Sequence, residues 1–113
     1  MGVPVYQQGD ILFIDFNPSK GHEPAKRHPA LVVSSTRVNY LTNLTLLAPI
    51  TSRDNRFPLH VRIAPGNTVH GFVQVEALRA LDLESRTGVE RIGAVDDETL
   101  SAVLEAIGVL VGI

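Results

Sequence analysis

Gly9-Asp10-Ile11-Leu12-Phe13-Ile14-Asp15-Phe16-Asn17-Pro18-Ser19-Lys20-Gly21-His22-Glu23-Pro24-Ala25-Lys26-Arg27-His28-Pro29-Ala30-Leu31-Val32-Val33-Ser34 is the stretch that decides how this chain is read. Its first eight residues put Leu12, Ile14 and Phe16 on one face and Ile11, Phe13 and Asp15 on the other, the pattern of a buried strand. Asn17-Pro18 stops that strand, because Asn favours turns and Pro has no N–H to give a ladder. Pro29–Ser34 reads as a second strand, short and apolar on both faces. Between them runs a polar loop, broken by Gly and Pro, that carries Lys20, His22, Glu23, Lys26, Arg27 and His28. Groups that move protons and bind phosphate, gathered between two rigid strands, mark where site chemistry is expected.

Outward from this run, Leu44–Ile50 reads as a third strand, reached through a polar loop at Asn39 and Asn43. Leu59–Ile63 alternates weakly and gives a fourth, Pro65-Gly66-Asn67 a turn, Gly71–Val75 a fifth, and a short strand is expected around Arg91–Ala94. The end of the chain is helical. Asp96 is the expected N-cap, and Asp97 and Glu98 suit the positive end of the helix dipole. Leu100, Val103, Leu104, Ile107, Leu110 and Val111 form one apolar stripe, assigned to the core, although Gly108 weakens the helix by ~1 kcal/mol. The apolar end, Leu110-Val111-Gly112-Ile113, is expected to be buried against the sheet or at a dimer seam. Five or six short strands and one helix predict a mainly β (α+β) fold: a small, twisted β-barrel with a C-terminal amphipathic helix, one domain over residues 1–113.

Composition bounds the function. The chain has 113 residues, 44% of them apolar and 19% charged, enough for one core of the ordinary soluble kind. No apolar run approaches the ~20 residues of a membrane span, and the N-terminus lacks the layout of a signal peptide. The absence of cysteine excludes disulfides and thiolate zinc sites and fits a cytoplasmic protein. His22, His28, His60 and His70 show no metal-ligand spacing, so neither metal nor cofactor is expected. Net charge is −2, but residues 1–62 carry a balance of +3 and the remainder −5. A polyanion is met by a local face, so the basic half can still bind one.

Cleavage of RNA without metal needs a base for the 2′-OH proton, an acid for the leaving 5′-oxygen, and a donor for the charged phosphorane between them. His supplies the first two near neutral pH, Arg matches phosphate oxygens in pairs, and a hydroxyl at a strand end is a short, rigid donor. The loop 20–28 and Pro49-Ile50-Thr51-Ser52-Arg53 contain all of these types, and they meet if the second and third strands bring their ends together.

The order and spacing of several segments resemble the MazF/PemK toxin ribonucleases: Gly9-Asp10, Asp15-Phe16-Asn17-Pro18, Gly21 to Ala30, Pro49-Ile50-Thr51, Arg56-Phe57-Pro58-Leu59, Gly71 to Asp82, and Arg91-Ile92-Gly93. The resemblance implies an SH3-like barrel of the PemK type. It also implies metal-free cleavage of single-stranded RNA or mRNA to a 2′,3′-cyclic phosphate and a 5′-OH, and a homodimer silenced by a cognate antitoxin, through which alone DNA is reached. The family's catalytic pair is the Arg before Pro in the loop and the Thr of Pro-x-Thr. The Thr carries over as Thr51. Before Pro29, however, stands His28, with Arg27 one place earlier, so the acid/base is His28 or Arg27. Pro24 and Lys26 replace the family's Gln and Gly, and Ala77 stands where Gln usually follows an acid. Lys20, His22, Glu23, Lys26, Arg53 and Arg56 are the implied RNA contacts, while His60 and His70 are read as structural or solvent-facing. The alternative is a silent relative that binds RNA or an antitoxin without cutting.

Overall fold

The structure is a computed structural model that describes residues 5–16, 27–54 and 56–113. Lys20, His22, Glu23 and Lys26, expected above as RNA contacts, lie outside the described residues.

Seven strands form one antiparallel sheet: β1 (Asp10–Ile14), β2 (His28–Val32), β3 (Thr45–Thr51), β4 (His60–Arg62), β5 (Phe72–Gln74), β6 (Arg79–Leu81) and β7 (Glu90–Ala94). Along the sheet the order is β4-β5-β3-β2-β1-β7, with β6 on β3. The expected mainly β fold with a terminal helix is present. The barrel is partly open, because among the described residues β4 and β7 are ends of the path and do not pair with each other.

Both sheet faces are covered, which is why β1, β2 and β3 read as apolar on both sides. Ile11, Leu31, Ala48, Ile50, Val73 and Val75 pack with Val103 on one face. Leu12, Ile14, Ala30, Val32 and Leu47 pack with Leu81 and Leu83 on the other. The period-2 split of β1 read from sequence is thus the split between two cores, each buried Leu or Ile contributing about 1.5–3 kcal/mol. The Asp10 carboxylate, 5% exposed, ties the start of β1 to β7. It accepts the Arg91 Nε–H at 3.0 Å and the Gln7 N–H at 2.8 Å.

Among the described residues two α-helices complete the fold, α1 (Thr36–Thr42) and α2 (Asp97–Val111), with a single 3-10 turn at Val75–Ala77. The polar loop expected through Asn39 and Asn43 is in fact α1, a helix whose own residues favour it little. It stands on its caps and on tertiary anchors, among them the Gln8 N–H donated to Thr36 Oγ1 at 3.1 Å. Ser35 accepts the Val38 N–H, Asn43 closes the end at φ 57°, and buried Asn39 donates from Nδ2 to the Tyr6 carbonyl at 2.8 Å.

The α2 stripe packs only in part, which corrects its assignment to the core. Val103 is fully buried and Leu100 and Ile107 are half-buried, whereas Leu104, Leu110 and Val111 are exposed and Ile113 is 99% exposed. α2 packs against β4 and the turn at Val75–Ala77, and its last turn is exposed. At the other end Asp96 caps as expected, its carboxylate accepting the Thr99 N–H and the Asn67 side-chain N–H. The hydrogen bond from the Thr99 side chain holds the Asp96 pKa below its usual value; burial opposes it, and the hydrogen bond from Asn67 adds to the lowering. Its stabilisation is therefore full above the unfolded-state value near 3.8 and is lost as pH falls through the lower folded value. Thermal midpoints measured from pH 6 to pH 2 should show this acid-side loss diminished in Asp96→Asn, which still caps.

Candidate functional site

β2 and β3 pair with Ala30 opposite Pro49, Leu31 opposite Ala48 and Val32 opposite Leu47. Continued by two residues, that register sets His28 opposite Thr51 on one face, the juxtaposition that the sequence left conditional. The two side chains line one cleft of roughly 400 Å³ together with Pro29, Pro49, Ser52, Arg53, His70 and Gln74. β3 changes partner along its outer edge, pairing with β6 at Thr45–Leu47 and with β5 at Ile50 and Thr51. The end of β3 is thereby held from both edges, by β2 on one side and β5 on the other.

Thr51 is oriented locally. Its Oγ1 accepts the Arg53 N–H at 3.2 Å, which occupies one lone pair and leaves the hydroxyl proton free to donate. Arg53 is exposed beside it. Arg56 lies outside this lining, at φ 59°, with its N–H donated to Asp54 Oδ1 at 2.8 Å.

Arg27, just before β2, and His28, at its start, meet different neighbours. His28 is exposed in the cleft. The Arg27 guanidinium sits 4.9 Å over the Phe13 ring, donates to the Gly88 carbonyl at 3.2 Å and stands 3.9 Å from Glu90. It fastens the entry of β2 to β1 and to the segment leading into β7, away from the cleft.

His60 and His70 also part company. The His60 side chain, 2% exposed, is bound through Nε2 to Glu76 at 2.7 Å and packs beside Phe57. His70 is exposed and lines the cleft with His28. Sequence reasoning missed His70 and Gln74 as cleft residues. The available signal was His70-Gly71 at the mouth of a strand, where a glycine permits close approach to a neighbouring chain. Among the described residues no group of three or more His, Cys, Asp or Glu is gathered as a metal site requires.

The fold, an open antiparallel sheet with a helix at its end, is that of solved MazF structures. MazF from Deinococcus radiodurans superposes with a TM-score of 0.82 at 32% identity, over 98% of this chain and 100% of that one. A MazE–MazF structure from the same organism gives 0.81 at 29%, covering 98% and 99%. The endoribonuclease toxin ChpB of Escherichia coli strain K12 is 37% identical over 107 residues, 88% of each protein. Residues 7–111 match the model of the PemK-like, MazF-like toxins of type II toxin–antitoxin systems, and the chain belongs to that family.

Proposed function

We propose that this chain is the toxin of a type II toxin–antitoxin pair and an endoribonuclease that cuts single-stranded RNA without metal. His28 takes the 2′-OH proton as general base, and the 2′-oxygen attacks its own phosphorus. The Thr51 hydroxyl and the Arg53 guanidinium donate to the phosphorane oxygens, and the products are a 2′,3′-cyclic phosphate and a 5′-OH. The observation that carries this reading is that His28 and Thr51 share one cleft while Arg27 is fastened elsewhere. Of the two acid/base candidates, His28 is the one with access to a substrate. The relatives' names support the activity, and the MazE–MazF structure supports a proteinaceous antitoxin as partner. A homodimer working in the cytoplasm, reaching DNA only through the antitoxin, completes the proposal. No helix among the described residues is long and apolar enough to cross a membrane.

The test is cleavage of a long, mixed-sequence RNA in EDTA. Expected are site-specific cuts ending in cyclic phosphate, lost in Thr51→Ala. Binding of the same RNA with a steep salt slope but no cutting would mean a silent relative that retains only phosphate contacts.

A further inference from the structure

The mechanism proposed above has a base and an anion-stabilising hydroxyl but lacks the acid that protonates the leaving 5′-oxygen. We propose that His70 is that general acid, an inference that rests on the nuclease reading of His28 and Thr51. Three observations carry it.

The first is position. Thr51 lies at the end of β3, where His28 comes in from β2 along one edge, and His70 comes from the turn entering β5 along the other. Attack and departure at phosphorus are in line, so base and acid must stand on opposite sides of the phosphate. His28, from β2, and His70, from the approach to β5, stand on the two sides of β3 at Thr51.

The second is proximity. Thr51 pairs with Phe72, and Gly71, at φ +134°, lies so close that a Cβ there would overlap the Thr51 carbonyl oxygen. His70 is thus held beside Thr51 by a backbone contact that tolerates no side chain at the next position, and it lines the cleft together with His28.

The third is access. A second cleft of roughly 530 Å³ adjoins the first and shares Ser52 and His70 with it, so His70 stands at the junction of the two, open to a substrate that leaves the first cleft.

In the step itself the O2′ proton passes to His28 as the O2′–P bond forms. The P–O5′ bond breaks with its electron pair on O5′, and O5′ takes the proton of the His70 imidazolium. His28 is left protonated and His70 neutral, and exchange with water resets both.

The discriminating experiment uses two short RNAs cut at the same bond, one natural and one with sulfur in place of the bridging 5′-oxygen. A thiolate leaves without a proton, so the sulfur substrate bypasses the acid alone. His70→Ala is expected to cut the natural RNA ~10²–10³-fold more slowly and the sulfur substrate within a few-fold of wild type. His28→Ala should be slow on both. The wild-type pH–rate profile should have two limbs, of which His70→Ala removes the alkaline one. His70 is exposed, so the variant is expected to melt with wild type, and circular dichroism checks this. Wild type that cuts while His70→Ala remains slow on both substrates, or within about threefold on the natural one, overturns the His70 assignment and leaves the nuclease reading standing. Wild type that cuts neither substrate overturns both.

Discussion

His28→Ala is expected to lower single-turnover cleavage by ~10²–10⁴ while its thermal midpoint stays at the wild-type value. The imidazole is exposed in the cleft and supports no packing, so its removal costs chemistry and not stability. Arg27→Ala should give the opposite pattern. It loses a cation–aromatic contact with Phe13 and a charged hydrogen bond to the Gly88 carbonyl, together about 1–3 kcal/mol for a partly exposed group. Its cleavage rate should fall less than that of His28→Ala, through looser placement of β2. Parallel urea titrations and cleavage rates separate the two residues. Cleavage abolished by Arg27→Ala and intact in His28→Ala would reverse their roles.

Gly71→Ala should damage both stability and activity. The new methyl would meet the Thr51 carbonyl, which is backbone and cannot swing away, at a φ of +134° that L side chains rarely adopt. Strain of this kind and overpacking each cost about 1–3 kcal/mol, so a loss on the order of 3 kcal/mol is expected by chemical denaturation. What survives folded will have the β3–β5 pairing at Thr51 pushed apart, with Thr51 and His70 both displaced. Cleavage should therefore fall even at temperatures where the variant is fully folded. An equal change at Gly66, where a Cβ meets nothing within 4 Å, is the control: it shares the positive φ but not the collision.

The strands were legible because their signal is local. The unbroken apolar runs at Ile11–Ile14 and Ala30–Val33 needed no knowledge of partners, and Asp96 with its acidic neighbours announced α2. The shorter elements were not legible. α1 is seven residues, Thr-Arg-Val-Asn-Tyr-Leu-Thr, with few strong helix formers, and it depends on Asn39 reaching Tyr6, a contact 33 residues away in the chain. β6 is three residues paired to the start of β3, and nothing in Arg79-Ala80-Leu81 by itself distinguishes a strand from a connection. The stripe of α2 gave the buried face correctly at Val103 but not its extent, since which turns of a helix find a partner is set by the elements it packs on, here β4 and the turn at Val75–Ala77.

The same division runs through the site. By itself the sequence determined which chemical groups were available: imidazoles, a strand-end hydroxyl, guanidinium groups and no thiol, in an order that fits one toxin family. It did so because residue type and spacing along a chain are one-dimensional facts. Which of those groups face one another was decided only by strand pairing. Arg27 and His28 are neighbours in the chain, yet one sits over Phe13 and the other lines the cleft. His28 and His70 are far apart in sequence, yet β2 and β5 bring them to the two edges of Thr51. Side chains alternate across a sheet and register is fixed between strands, so the assembly of this cleft is a property of the folded sheet.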